Sequence, residues 1–465
     1  MTGYLAPVAS LLISVAILLT GHGLQLTLLP LRAEILGFSP ADIGFTGSSY
    51  FLGFVIGCLT IPRIIAGVGH IRTFSVMAAI ATAGLLLLSL SETLTAWIAL
   101  RFSTGWALCG LYMVIESWLN ERAPTEIRGG ILSLYAMITL LAISGAQLFL
   151  GYDDPSSSTL FIIAALLLSL AIVPIGLTRT IAPHPVARVR FDPARLFNTS
   201  QVAVVTAALG GMVTGGFWAL GPVYASAQGL SAEDVGLFMI AAILGGAALQ
   251  YPVGRLSDHY DRRRVIFALT ALGAVAAVLT GLYGHGEAAL IFAFAFGATS
   301  MPLYALCVAH ANDNITDGSF VEMASGILMM NSIGSVAGPA VAAGLMGWFG
   351  PAAMFYFAAF GLAAASLWTL HRLRAHRTSR GHVRPFAPLP EMTPAASTWI
   401  RGATRWSTVG AGLPANLPTI RGKPAPTAGS VFSLTTTLVF IVTPARAAQP
   451  LEGKFGGGTQ AGNSR

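Results

Sequence analysis

Apolar blocks recur about every 30 residues through the first 371 positions, with short polar breaks between them. They lie near 6–29, 41–62, 72–91, 94–119, 130–151, 158–178, 201–225, 233–253, 264–284, 287–309, 321–347 and 351–371. Most approach the roughly 20 residues a helix needs to cross a bilayer. Helices are the required element, because hydrocarbon offers no partner to backbone N–H and C=O groups. The pattern therefore predicts an all-α membrane protein with twelve transmembrane helices. No basic n-region or cleavage signature marks the first block, which reads as a retained span rather than a removed signal peptide.

The polar breaks carry the orientation. With Met1 in the cytoplasm, the cytoplasmic loops hold Arg63, Arg72, Arg122, Arg128, Arg179, Arg188, Arg190, Arg195, Arg255, Arg262, Arg263 and Arg264. The opposite loops hold only Arg32. This positive-inside bias places both termini in the cytoplasm. The longest break, 179–200, separates two sets of six helices, 1–178 and 201–371.

Composition agrees with the pattern. Of 465 residues 54% are apolar and 10% charged, and mean hydropathy is +0.71; soluble domains carry roughly a quarter charged residues. The formal charge of +7 is unevenly placed. Residues 1–371 hold 14 Arg, no Lys and 17 acids, whereas 372–465 hold 12 basic residues and 2 acids. The body thus lacks a nucleic-acid footprint. The segment 372–465, rich in Pro and Gly, reads as a basic disordered cytoplasmic tail. Cys58, Cys109 and Cys307 fall in apolar blocks and read as small buried residues, not as disulfides or a metal site. No metal or cofactor is expected.

The two sets of helices match when displaced by 192 residues. Ser39-Pro40-Ala41-Asp42-Ile43-Gly44 overlays Ser231-Ala232-Glu233-Asp234-Val235-Gly236, Arg63 meets Arg255, and Arg72 meets Arg264. Gly105 meets Gly297, and Leu111-Tyr112 meets Leu303-Tyr304. Apolar similarity alone does not align loop arginines and acids in one register, so the chain reads as a duplication. Six helices per repeat give both halves the same orientation, with a pseudo-twofold along the membrane normal and a binding site between them. Ser39, Ser231 and Ser319, each followed three residues on by an acid, read as helix N-caps.

Between helices 8 and 9 stands Gly254-Arg255-Leu256-Ser257-Asp258-His259-Tyr260-Asp261-Arg262-Arg263-Arg264. It resembles the G-x-L-x-D-R-x-G-R-R loop of the major facilitator superfamily of secondary transporters, with His259 and Asp261 departing from the pattern. The first-half equivalent has Ala66 where the acid belongs. The wording of helices 1–2 and 4–5 is most similar to a poorly characterised bacterial branch of that superfamily. The resemblance covers residues 1–371. It implies two pseudo-symmetric six-helix bundles, a monomer, and alternating access in the bacterial cytoplasmic membrane. It also implies a gating loop at Gly254, Asp258, Arg262 and Arg263, with Asp258 meeting the start of helix 5 near Arg128-Gly129 as a latch. The plainer reading is that these charges anchor a turn at the headgroups.

Ionisable groups at membrane depth cost roughly 2.5–3.5 kcal/mol even on insertion scales, so each is a functional candidate. Arg101, Gly105, Tyr112 and Glu116 share one face of helix 4. Arg101 and Glu116, 15 residues apart, lie about 22 Å apart along the axis and cannot pair. Glu116 reads as the proton-coupling carboxylate, or else as an interfacial acid paired with Arg122 or Arg128. Arg101 reads as a group that binds an anion, or else as a hydrogen-bonder to neighbouring carbonyls. Arg101-Phe102-Ser103-Thr104-Gly105 also resembles the R-x-x-x-G element of proton-coupled members of the superfamily. Further cavity candidates are His22, Gln25, Tyr50, Tyr112, Gln147, Trp218, Gln250, Tyr304 and Asn331. Gly334, Gly338 and Pro339 read as a bend in helix 11 or as a tight packing surface.

No G-K-[ST] loop is present to bind nucleotide phosphates, and no nucleophile–base pair or metal spacing suggests an enzyme. The reading is a proton-coupled secondary transporter that exports small amphipathic molecules, its partners being substrate, protons and the bilayer. Uptake by symport and a non-transporting sensor are the alternatives.

Overall fold

The computed structural model describes residues 2–122, 128–177, 192–315 and 320–375. Twelve long apolar helices run through them: α1 (Ala9–Ile35), α2 (Pro40–Val68), α3 (His70–Leu90), α4 (Leu94–Leu119), α5 (Ser133–Gly151) and α6 (Thr159–Gly176) in the first half. The second half holds α7 (Gln201–Ala227), α8 (Ala232–His259), α9 (Arg262–Tyr283), α10 (Ala288–Asp313), α11 (Glu322–Phe349) and α12 (Ala353–Ala375). There is no strand among the described residues. The tail beyond Ala375, the Ser319 cap and the side chains of Arg122 and Arg128 lie outside the described residues.

Local chemistry sets the helix ends. The Ser39 hydroxyl accepts from the Asp42 N–H at 3.2 Å, and the Asp42 carboxylate accepts from the Ser39 N–H at 3.1 Å, a complete capping box. Ser231 caps α8 through the Asp234 N–H in the same way. The α2–α3 connection narrows to Gly69, whose φ of 84° few residues other than glycine tolerate. Two spans are broken. In α10 the helix stops at Ser300 and resumes at Leu303, because Pro302 cannot donate to the Ala298 carbonyl. In α6 a break at Ala171 precedes Pro174. By contrast, α11 runs unbroken from Phe320 to Phe349 through Pro339.

The outer faces are greasy. Large apolar side chains such as Ile291 and Phe360 stand 70% and 75% exposed, while Gln25, Thr104, Glu116 and Gln147 are buried. Apolar outside and polar inside suits lipid as the surrounding solvent.

Glycines show the duplication in three dimensions. A methyl placed on Gly53 would strike the Phe102 carbonyl, and one on Gly245 the Phe294 carbonyl. Gly105 lies as tightly on the Tyr50 carbonyl, and Gly297 on that of Ala242. Each of these pairs is displaced by the same 192 residues. The α2–α4 contact of the first half is thus rebuilt as α8–α10. Gly334 and Gly338 press on the carbonyls of Ala208 and Met212, and Gly211 on that of Asn331. These glycines of α11 and α7 do the work of close packing.

The halves also touch, at the end that carries Ser39 and Ser231. A methyl on Gly44 would sit 2.6 Å from the Pro339 oxygen, and one on Gly236 would sit 2.6 Å from the Gln147 oxygen. Again both partners are related by 192. Glu34 is hydrogen-bonded by Ser226, and Gly151 lies against Glu233. This end is closed.

Candidate functional site

Close packing of α2 on α4, enforced by Gly53, Gly57 and Gly105, brings polar residues of three helices together. Arg101 of α4 lies over the Tyr50 ring of α2, its Cζ 4.5 Å from the centroid. The His22 ring of α1 stacks on Tyr50 at 6.4 Å and meets Tyr112 edge-on at 6.0 Å. Gln25, one turn on, places its Nε2 2.7 Å from His22 Nδ1. All five side chains are buried.

Two atoms in this cluster are left over. Arg101 Nη1 and Gln25 Oε1 are buried without a hydrogen-bond partner. Among the described residues no carboxylate pairs with Arg101. A buried cation without a counter-charge is costly enough that such groups are ordinarily paired.

Glu116 lies further along α4. It is fully buried, and the Tyr135 hydroxyl of α5 donates to its Oε1 at 3.3 Å. Arg101 and Glu116 therefore face different surroundings on one helix. The same displacement of 192 leads from His22, Gln25, Tyr50, Arg101 and Glu116 to Thr214, Phe217, Ala242, Ala293 and Val308. The second half repeats the packing and not the charge.

The other sequence candidates are scattered. Gln147 is pinned: the Thr27 hydroxyl donates to its Oε1 at 2.6 Å, and its Nε2 donates to the Gly23 carbonyl at 2.9 Å. It ties α5 to α1. Trp218 is half-buried against Phe217, Gln250 is half-buried on α8, and Tyr304 and Asn331 are buried on α10 and α11. Cys58 and Cys109 are free thiols with sulfurs 3.6 Å apart between α2 and α4. Residues that no pattern in the sequence singles out include Tyr135, the Glu34–Ser226 pair and His70, whose Nε2 lies 2.9 Å from the Ser117 hydroxyl. Their types carry no motif, and only the fold brings them to their partners.

The expected loop after α8 is largely helix. Residues 254–259 continue α8, and only Tyr260 and Asp261 connect it to α9. Arg262 organises the turn: Nη2 donates to Asp258 at 3.0 Å, Nη1 to Ser257 at 2.9 Å, and Nε to Asp313 of α10 at 2.6 Å. Asp261 caps α9 and accepts from Arg263 at 2.8 Å. Burial opposes ionisation of Asp261, yet the hydrogen bonds from the Arg263 side chain and backbone hold its carboxyl below the usual range. The interdomain break also holds structure: Asp192 caps a short helix, Pro193–Thr199, whose Leu196 packs on Gly326 of α11 and whose Arg195 pairs with Glu322 at 3.1 Å.

A family model described as Major Facilitator Superfamily matches residues 11–311 and again 203–457. The chain belongs to this superfamily. It is 27% identical over 392 residues to the uncharacterized MFS-type transporter YcaD of Escherichia fergusonii, covering 83% of this chain and all of the relative. It is also 27% identical to the uncharacterized MFS-type transporter YE1530 of Yersinia enterocolitica, over 80% of this chain and 97% of the relative. Among solved structures, the nucleoside transporter NupG superposes with a TM-score of 0.66 at 14% identity, covering 79% of this chain and 98% of NupG. A bacterial homologue of the lysosomal transporter Spinster, inward-facing and occupied, gives 0.60 at 16% identity over 86% and 96%. The protein thus has the superfamily fold, two pseudo-symmetric six-helix bundles, and is a multi-pass secondary transporter rather than an enzyme.

Proposed function

We propose that this superfamily member exports small amphipathic solutes across the bacterial cytoplasmic membrane in exchange for protons. Both termini face the cytoplasm, and the two bundles, 1–178 and 201–371, rock about a shared site. On the arginine bias the closed end described above is the outer one. The state is then closed to the outside. Asp258 and Arg262 belong to the opposite gate, which closes when the outer end parts.

The observation that carries the coupling is Glu116, a carboxylate with no exposed surface inside a membrane span, held by the Tyr135 hydroxyl of the neighbouring helix. A carboxylate so placed changes its proton affinity strongly with hydration, and alternating access changes hydration by its nature. Arg101, displaced toward the outer end of the same helix, is free to serve the solute.

Proteoliposomes with an imposed pH gradient and an internal pH dye test the reading. Glu116→Gln is expected to fold and insert normally and to lose gradient-driven solute flux and solute-driven proton movement. Unaltered proton movement in that variant overturns the assignment. Solute accumulation in right-side-out vesicles with an acidic exterior would instead establish uptake.

A further inference from the structure

We propose that Arg101, Gln25, His22 and Tyr50 form a binding site for a monoanionic hydroxy acid with an apolar body. The proposal rests on the transporter reading above and assigns the chemistry of its solute.

The first argument is charge. The Arg101 guanidinium is buried against the Tyr50 face, and its Nη1 has neither carboxylate nor carbonyl to receive its hydrogen bond. A cation in that position is completed by an anion, and charge-assisted hydrogen bonds to guanidinium are the stronger kind. One arginine, with no lysine or second arginine in the cluster, matches one negative charge.

The second argument is the Gln25 amide. One end engages His22 Nδ1 and the other is an unpartnered buried acceptor. A hydroxyl satisfies it by donating, and would equally satisfy the flipped amide by accepting. An ester or ether oxygen could not serve both. Both residues belong to one cluster about the Tyr50 ring: His22, which engages the Gln25 amide, stacks on that ring, and Arg101 lies over it.

The third argument is asymmetry. The equivalents of Gln25, Tyr50 and Arg101 in the second half are Phe217, Ala242 and Ala293. The counterpart cluster keeps only Thr214, the equivalent of His22, as a polar group, so the charged contact is confined to the first half and the body of the solute faces a largely apolar counterpart.

The test is calorimetric titration of the purified full-length protein with 3-phenyllactate, 3-phenylpropionate, which lacks the hydroxyl, and 3-phenylpropane-1,2-diol, which lacks the carboxylate. Phenyllactate is expected to bind most tightly. Loss of the carboxylate should weaken binding about 10- to 100-fold, the range for a charged hydrogen bond. Arg101→Gln should produce the same loss for phenyllactate, leave the diol unchanged, and melt no lower than the parent, since it removes an unpaired charge. Gln25→Leu should make phenyllactate and phenylpropionate equal. No binding by either acid, a diol as tight as the acid, or an Arg101→Gln variant that binds like the parent overturns the proposal. Glu116→Gln separates the two readings: whatever the change in its affinity, it should still bind phenyllactate more tightly than the diol. If it also retains proton movement, the coupling assignment fails and the anion site stands.

Discussion

Adding one methyl group at the closed end should open it. In Gly44→Ala the new carbon would lie 2.6 Å from the Pro339 oxygen, with the Ala343 side chain pressing from the same side. Ordinary contact begins near 3.5 Å, so α2 and α11 must separate there by about 1 Å. Overpacking of this kind costs about 1–3 kcal/mol. The crowding exists only while this end is shut, so the whole cost falls on the closed state and favours the open one by about 5- to 150-fold. Gly236→Ala, 2.6 Å from the Gln147 oxygen, should act alike through α8 and α5. Gly210→Ala is the control, because nothing lies within 4 Å of its new methyl. The assay is the labelling rate of Ser226→Cys, beside Glu34 at the closed end, by a membrane-impermeant maleimide in intact cells. The parent with its native, largely buried cysteines gives the background. Both wedge variants should label faster, and the control should not. Parental labelling in folded Gly44→Ala and Gly236→Ala proteins would refute the idea that these glycines set the closure.

Two further outcomes concern the turn between α8 and α9. Arg262→Gln strips Asp258, Ser257 and Asp313 of a donor buried to 2% exposure, and should cost about 3–5 kcal/mol of stability, as breaking a buried pair does; thermal unfolding in detergent at fixed pH measures it. Asp261 has a folded-state pKa below its unfolded one, so it contributes stability above the ordinary carboxylate pKa of about 3.9 and loses it as pH falls through the folded value. Melting curves of the parent and Asp261→Asn should therefore differ at pH 6 and converge toward pH 3; a constant gap across that range would show the shift to be unimportant.

Much of this was legible in the residue order. The twelve spans follow from apolar run length, and the caps at Ser39 and Ser231 from a serine with an acid three residues on. The repeat was visible because loop charges and helix glycines share one displacement. Apolarity was a poor guide where a helix leaves the hydrocarbon: the α8 block ends at 253, yet the helix runs to His259. It also hid the break in α10, since Pro302 sits within an uninterrupted apolar run. The Asp192-Pro193 start of the short helix between the two sets is a readable cap inside an otherwise polar break. Gln147 illustrates a harder limit: a membrane glutamine looks like a cavity residue until Thr27 and Gly23 are seen to occupy its hydrogen bonds. The separation of Arg101 from Glu116 was readable from helical rise. The unfilled valences beside Tyr50 depend on how three helices meet.

The one-residue link at Gly69 and the two-residue link at Tyr260–Asp261 leave neither hairpin any slack. Each behaves as a single rigid lever, so a tug on the end of α8 moves α9 with it. For protein engineers, these two turns are the wrong places to splice a tag or a fluorescent reporter.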